Sequence, residues 1–369
     1  MEHRFTGPPF TVGIEEELMI LDPETLELTN AIEAMLEASG GGADEVKPEL
    51  LESVLEIATK PCASIAEVAR ELPALRARVG QAAAERGLAI GSAGTHPYAM
   101  WEDQRVVQRQ RYRDLVAALR FVARQELIFG AHVHIGIDDA DKAIYVANGM
   151  RVHVPLLLAL SANSPFWRAD ATGMHSTRTP IFRAFPRVGV PPFYRDWEDY
   201  VERIGFMVES KVIDDYTYLW HDVRAHPNLG TVEVRVMDAQ TRVEHTLALA
   251  ALIQAMVREL AEQFDAGLPL ARCSFEMLDE NKWLAARHGL DGELVDLPSA
   301  RPIATPDLIR RVLERLADHA RDLGSIDQLA GIDDLLERGN GAARQLVVYE
   351  ANSDFAEVMR EIVAKTLPA

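Results

Sequence analysis

The sequence predicts an α+β protein in which a mostly antiparallel sheet carries helices on one side. Three short runs, at 11–21, 128–137 and 231–238, have the composition and alternation of buried or half-buried strands. The stretches 64–87, 242–265 and 305–366 are rich in residues that favour helices. Because no repeat, low-complexity linker or composition break divides the chain, we predict one domain over residues 1–369.

The elements of the first hundred residues follow from alternation and turn residues. A turn at 22–25 after the first strand predicts a hairpin that returns over 26–28. The glycines at 40–42 predict a flexible loop. Residues 52–59 predict a strand closed by Pro61, although Glu49, Glu52 and Glu56 also fit one face of a helix. The helix over 64–87 ends at Gly87, and 88–94 predict a buried strand that leads into a turn.

The middle of the chain predicts two further helices and one long connection. The helices cover 105–124 and 141–160, and the second is disturbed at Pro155. Residues 161–200 contain seven prolines or glycines together with Arg178, Arg183 and Arg187. This composition predicts a long ordered loop, and long loops inside compact domains are often functional.

Three segments carry the residues on which we base a site. They read Gly-Ile-Glu-Glu-Glu at 13–17, His-Val-His at 132–134 and Glu-Val-Arg-Val-Met-Asp at 233–238. Alternate residues of a strand share a face. The pairs that share a face are therefore Glu15 with Glu17, His132 with His134, and Glu233 with Arg235. Carboxylates and imidazoles presented in this way can bind a divalent cation, and the adjacent arginine suggests an anionic substrate.

Each segment also has a plain structural interpretation. A triple glutamate can be a solvated strand, a strand histidine can be a hydrogen-bonded core residue, and a Glu–Arg pair can be a salt bridge. His96, in the Gly-Thr-His-Pro sequence at 94–97, can belong to a turn or to a site. The arginines of 176–192 can bind phosphates or hold the long loop in place. The three strand segments together favour a site.

Composition excludes several classes of protein. The chain has 38 lysines and arginines against 57 aspartates and glutamates, a formal net charge of −19, which disfavours nucleic-acid binding. Two cysteines are too few for a disulfide framework, and neither has a base adjacent in sequence. No glycine-rich phosphate loop occurs. Without a signal-like start or 18 continuous apolar residues, we expect a soluble cytoplasmic protein with no membrane partner.

The ordered set of motifs resembles the glutamate–cysteine ligase type 2 family, the bacterial carboxylate-amine ligases. The motifs read Val-Gly-Ile-Glu-Glu-Glu at 12–17, Leu-Glu-Ile-Ala-Thr at 55–59, Gly-Thr-His-Pro at 94–97, Ala-His-Val-His-Ile-Gly at 131–136 and Gly-Thr-Val-Glu-Val-Arg at 230–235. The resemblance runs in order from residue 11 to the C-terminal helices. It implies a glutamine-synthetase-like fold, with a curved antiparallel sheet that forms a funnel wrapped by helices, and it suggests a homodimer.

The resemblance also implies ATP-dependent ligation through an acyl phosphate. The γ-carboxylate of glutamate would attack the γ-phosphate of ATP, and the amine of cysteine would then displace phosphate. By the family pattern, Mg²⁺ ligands would be Glu15, Glu49, Glu56, His134 and Glu233. Arg235 would face the transferring phosphoryl group or the glutamate carboxylate, with Glu17 close by as a second catalytic residue. From the residues themselves, we also predict that Arg178, Arg183, His132 and His96 contact ATP or substrate.

Three alternatives stay open at this point: a ligase that uses another amine, a phosphotransferase and a binding protein. A different amino acid or amine can replace cysteine, because no motif marks a thiol pocket. A metal-dependent phosphotransferase or guanidino kinase on the same fold would release a phosphorylated product without an amide. A binding protein without turnover is the third possibility.

Overall fold

The computed structural model describes residues 1–40 and 44–368, and the loop predicted at 40–42 lies largely outside this range. The strands of the described residues are β1 Val12–Leu21, β2 Val46–Pro48, β3 Val54–Ala58, β4 Ala89–Gly91, β5 Gly130–Gly136, β6 Phe166–Trp167, β7 Asp170–Ala171, β8 Val188–Gly189, β9 Trp220–His221, β10 Val223–His226, β11 Thr231–Asp238, β12 Glu293–Asp296 and β13 Arg301–Ala304. The helices are α1 Ile32–Ala38, α2 Ile65–Glu85, α3 Gln110–Leu119, α4 Phe121–Arg124, α5 Ala140–Met150, α6 Val154–Ser161, α7 Arg178–Phe182, α8 Trp197–Glu209, α9 Val243–Asp265, α10 Phe275–His288, α11 Thr305–Asp322, α12 Ile326–Leu329, α13 Gly331–Arg338, α14 Gly341–Asn352 and α15 Phe355–Thr366.

The central element is an antiparallel sheet in the order β10-β11-β5-β1-β3-β2, with β4 paired to the far end of β1. In the described residues this sheet has seven strands, and every pairing in it is antiparallel. Its apolar face carries residues such as Ile14, Leu18, Val133 and Val234, all fully buried. Helices α2, α5 and α9 pack on the strands there. The opposite face is polar and holds the residues of the predicted site.

The helix α9 forms the centre of the core. Seventeen of its residues are buried, which explains the apolar composition that predicted it. The helix α2 begins at the cap Ser64, whose side chain accepts the amide N–H of Glu67, and the chain leaves it through Gly87, which has a positive φ of 66°. Both helices match their predicted ranges to within two residues.

Several predicted elements differ from the structure. The helix predicted over 105–124 starts only at Gln110 and is interrupted at Arg120, whose φ of 54° is incompatible with a continuous helix. The helix predicted over 141–160 divides into α5 and α6 around a 3₁₀ turn, because Pro155 cannot donate the helical hydrogen bond. The predicted hairpin reduces to one bridge between Leu21 and Leu28.

The predicted loop of 161–200 contains β6, β7, β8, α7 and the start of α8, and many of its residues are buried. The prediction of helices on one side only is also wrong, since α3 and α7 reach over the polar face of the sheet. By length and composition, one helical stretch of the described residues, Ala140–Ser161, is able to span a membrane, but 78% of its most apolar window is buried inside the protein.

Candidate active site

The register of the sheet brings the three predicted segments together on its polar face. Glu15 on β1 lies opposite His132 on β5, and His134 lies opposite Glu233 on β11. On the other edge of β1, Glu17 lies opposite Glu56 of β3. Residues directly opposite in an antiparallel pair point to the same side. Segments that are more than 200 residues apart in sequence therefore form one surface.

The first cluster on this surface consists of Glu15, His134 and Glu233. The ligand-type atoms of the three side chains lie within 4.8 Å of one another. The Nε2 atom of His134 lies 3.6 Å from a Glu15 carboxylate oxygen and 3.8 Å from a Glu233 oxygen. The other ring nitrogen, Nδ1, is 3.0 Å from the hydroxyl of Thr231. Nε2 itself is buried and has no hydrogen-bond partner among the described residues.

This arrangement fits a divalent cation. A buried imidazole nitrogen left without a partner between two carboxylates is a natural metal ligand, and the bond from Nδ1 to Thr231 fixes the ring. The Glu233 oxygen that faces away from His134 is held by Arg224, whose Nε and Nη2 atoms lie 2.8 and 2.7 Å from it. Although burial opposes ionisation, Arg224 and Arg235 hold the pKa of Glu233 well below its usual range. Glu233 is therefore a carboxylate anion.

A second cluster of carboxylates lies on the β3 side of the same surface. It consists of Glu17, Glu49, Glu56 and Glu126, and these residues line one cavity. Burial and the charges of neighbouring carboxylates raise the pKa of Glu49 to about 8, with Glu17 the main neighbour. The same causes raise the pKa of Glu126 to about 8 and that of Glu56 well above its ordinary value. Crowded carboxylates of this kind become ionised when a cation binds between them.

Positive groups stand between the two clusters. The guanidinium of Arg235 donates to Glu233 through Nη1, and the same atom is 3.4 Å from Nδ1 of His132. Arg178, on α7, donates to the backbone carbonyls of Arg235 and Val236 across the cavity. The Nε atoms of both arginines are buried and have no partner among the described residues. Lys47 lies 3.3 Å from Glu56.

Glu15, the second cluster and the positive groups line one cavity of about 330 Å³, which we call the main cavity. His134 and Glu233 do not line it themselves but lie beside Glu15 and Arg235, which do. Its polar floor is the sheet face described above. Its remaining wall is largely aromatic and apolar, and includes Tyr112, Leu115, Phe182, Phe185 and Trp220. A cavity that combines an acidic floor, arginines and an aromatic wall can bind a nucleotide with its metal ions.

Two predicted substrate contacts lie elsewhere. His96 is fully buried outside the main cavity, where Nε2 lies 2.9 Å from the carbonyl oxygen of Leu26 and Nδ1 accepts the amide N–H groups of Tyr98 and Ala99. The ring closes a turn with both nitrogens engaged, so nothing in this position supports its predicted contact with ATP or substrate. Arg183 lies on an adjoining cavity, where its guanidinium pairs with the carboxylate of Asp279 at 2.8 Å.

Some residues of the main cavity were not among the predicted site residues. Lys47, Arg111, Tyr112, Glu126 and Arg224 line it but belong to no predicted motif. Arg224 was open to prediction, because it precedes the alternating strand β11 by one short hairpin and pairs with Glu233 across it. Glu126 and Arg111 come from helical or irregular segments, and only the tertiary fold places them at the sheet.

Comparison with known proteins gives the family to which this sequence is similar. A sequence model described as glutamate-cysteine ligase family 2 matches residues 11–365. The relative named "Putative glutamate--cysteine ligase 2-1" of Rubrobacter xylanophilus is 42% identical over 370 residues, covering 100% of this chain and 98% of the relative. "Putative glutamate--cysteine ligase 2" of Solibacter usitatus is 38% identical and covers 97% of this chain and 94% of the relative.

Two solved structures share the fold at low sequence identity. The glutamate–cysteine ligase of Francisella tularensis in complex with AMP has a TM-score of 0.72 at 14% identity, and the match covers 100% of this chain and 91% of that one. The bifunctional glutathione synthetase of Pasteurella multocida has a TM-score of 0.70 at 17% identity, covering 97% of this chain and 53% of that one. These likenesses confirm the predicted α+β, glutamine-synthetase-like fold class. From the match over residues 11–365 and the full-length relatives, we conclude that the chain belongs to glutamate-cysteine ligase family 2.

Proposed function

We propose that the protein is an ATP-dependent carboxylate-amine ligase that joins the γ-carboxylate of glutamate to the amine of an amino acid, with cysteine as the first acceptor to test. The observation that carries the proposal is the main cavity, which is lined by Arg235, Arg178, the second carboxylate cluster and Glu15, the last of these grouped with His134 and Glu233. Membership of glutamate-cysteine ligase family 2 and the names of the relatives support this reaction class. The AMP complex of the F. tularensis ligase supports ATP as the nucleotide.

The donor set of the cavity fits Mg²⁺. Its ligands in our proposal are Glu15, Glu49, Glu56, His134 and Glu233. When bound, Mg²⁺ would neutralise the negative charge of the phosphate oxygens and of the crowded carboxylates around them. The unpartnered Nε2 of His134 and the raised pKa values of Glu49 and Glu56 are the features that support this assignment.

In this proposal, Arg235 and Arg178 stabilise the negative charge of the transferring phosphoryl group. Arg235 is anchored through Nη1 to Glu233, and its Nε–H is left without a partner among the described residues. That donor is available to a phosphoryl or carboxylate oxygen, and preorganised donors of this kind stabilise developing negative charge. Arg178 offers a second Nε–H in the same cavity. Glu17 accepts the backbone N–H of Gly130 at 2.5 Å and lines the same cavity, and we propose it as a second catalytic residue.

Water must be excluded while the acyl phosphate exists. The segment 161–200 supplies Phe182 and Phe185 to the wall of the main cavity, and we propose that it acts as a lid. The test is limited proteolysis of this segment with and without ATP and magnesium. Protection that does not change when the two are added would contradict the lid.

The test of the function is ADP release from ATP and magnesium with glutamate present and each amino acid added in turn, with cysteine included. We expect release that depends on glutamate and on one amine, and loss of release in Glu233→Gln. Glu102→Gln is the matched control, because Glu102 pairs with Arg168 at an exposed position outside the main cavity. ADP formation with a phosphorylated product and no amide would instead support the phosphotransferase alternative.

Three further features of the protein are proposed: its domain organisation, oligomeric state and location. We propose one domain over residues 1–369, a homodimer and a cytoplasmic location. Sedimentation equilibrium of the purified chain tests the homodimer, and a monomer at micromolar concentration would contradict it.

A further inference from the structure

A second cavity, which shares no lining residue with the main cavity, lies between the start of α9 and helices α14 and α15. Its volume is about 110 Å³. Side chains that line it include Gln240, Arg242, Gln345, Val348, Ile362 and Lys365. The proposed ligase reaction uses none of them.

Two buried amide oxygens at this cavity have no partner. Gln240 and Gln345 are 1% and 5% exposed. The amide nitrogen of Gln240 donates to the carbonyls of Ser161 and Asp238, and that of Gln345 donates to Asn163, so both amide orientations are fixed. The oxygens Oε1 of both side chains have no hydrogen-bond partner among the described residues. Buried acceptors are normally satisfied, so these two call for a donor from a ligand or from water.

The charges around the cavity are unevenly paired. Arg344 and His245 both bind the carboxylate of Asp334, at 2.6 and 2.8 Å, so both side chains are already engaged. Arg242 and Lys365 have no ion-pair partner in the part of the chain that the structure describes. The cavity therefore presents two free cations to an anionic group.

The rim also carries one free anion, Glu361, which has no ion pair within residues 1–40 and 44–368. The rest of the lining is mostly apolar and includes Val348, Val358 and Ile362. A dry apolar cavity of about 150 Å³ holds benzene, so this cavity of about 110 Å³ accommodates a ligand of about six heavy atoms at most. Such a ligand needs an anionic end, a group that donates hydrogen bonds and a short apolar part.

We propose that this second cavity binds a small α-amino acid in its zwitterionic form. The carboxylate pairs with Arg242 and Lys365, and the ammonium donates to the amide oxygens of Gln240 and Gln345. The short side chain packs on Val348. The binding site is independent of the proposed ligase reaction and stands on its own contacts.

The experiment is calorimetric titration of the full chain with glycine or alanine in the absence of ATP. The main cavity is itself proposed to bind amino acids, so the heat of binding at the second cavity is identified with variants of the second cavity. Val348→Phe fills the cavity, whereas Val347→Phe places the same side chain at a neighbouring position that is 66% exposed. We expect one binding event to disappear in Val348→Phe, to persist in Val347→Phe, and to weaken at least tenfold in Arg242→Gln.

The ligand class has its own control. Propionate lacks the ammonium group of alanine, so we expect it to bind at least tenfold more weakly than alanine. Equal binding of propionate and alanine, or heats that are the same in Val348→Phe and the unmodified chain, would overturn the proposal. Glu233→Gln separates the two proposals, since it is expected to abolish ADP release and to leave the binding event at the second cavity intact.

Discussion

The buried ion pair between Arg76 and Glu16 supports the strand that carries the site, and its removal is the perturbation with the clearest expected cost. Both side chains are 0% exposed. Arg76 donates twice to the carboxylate of Glu16, at 2.7 and 2.8 Å. It also donates to the backbone carbonyls of Gln240, Thr241 and Thr366, at 2.7 to 2.9 Å. The guanidinium thus joins β1, the segment before α9 and the end of α15.

The cost of Arg76→Met follows from these five contacts. The substitution leaves Glu16 as a buried carboxylate that keeps only the hydroxyl of Thr246, at 2.6 Å, as a side-chain donor. An uncompensated buried charge costs about 3–5 kcal/mol, and an unsatisfied buried carbonyl costs about 1–3 kcal/mol. Because the three carbonyls can partly rehydrate, we expect a loss of about 5 kcal/mol in the free energy of unfolding. Total stabilities are typically about 5–15 kcal/mol, so this variant is expected to be close to unfolded.

The assay is urea unfolding followed by circular dichroism. The shift in the midpoint urea concentration is converted into a change in the free energy of unfolding with a constant m value. Arg78→Met is the matched control two residues along α2, since Arg78 is 42% exposed and its pair with Glu45 should contribute less than about 1 kcal/mol. The double variant Arg76→Met with Glu16→Leu removes both charges and should recover about 2 kcal/mol or more. A loss of less than about 1 kcal/mol in Arg76→Met, or a double variant less stable than the single one, would show that this ion pair does not stabilise the fold as expected.

Three further predictions test the site. Arg235→Lys should lower kcat for ADP release by about 10²-fold or more, because the compact ammonium, once bound to Glu233, cannot place a donor where the separate Nε–H of the planar guanidinium stands; an unchanged kcat would contradict this. The pKa of Glu126 is raised to about 8 in the folded protein, from an ordinary value of 4.5. Between pH 4.5 and about pH 8 the folded protein therefore keeps a proton on Glu126 that the unfolded chain has released. The free energy of unfolding of the metal-free protein should therefore fall as pH rises from about 5 to 8. Glu126→Gln should flatten that slope in urea titrations at several pH values, and a slope unchanged by the substitution would count against the assignment. His96→Asn should lower stability by about 1–3 kcal/mol while leaving the KM for ATP within about twofold, whereas a large rise in KM would restore His96 to the site.

Alternation and apolar composition predicted the strands of the site because each strand is buried on one face. The runs that became β1, β5 and β11 each carry a continuous apolar face against α9 or α5, and that burial appears directly in the sequence. Prediction was weaker where the backbone turns. The break at Arg120 depends on a left-handed conformation, and nothing in the local sequence of α3 marks it.

The sequence alone specified which side chains share a face, because the predicted pairs Glu15–Glu17, His132–His134 and Glu233–Arg235 depend only on the two-residue period of a strand. It also determined, through the ordered motifs, the family to which the chain belongs. Which strands are neighbours could not be predicted in this way, because pairing register depends on contacts between residues far apart in the chain. That register placed His134 between Glu15 and Glu233, and chain packing brought Glu126, Arg178 and Arg224 to the same cavity while burying His96 elsewhere. Local patterns specify the faces of the elements, and long-range packing specifies which faces meet.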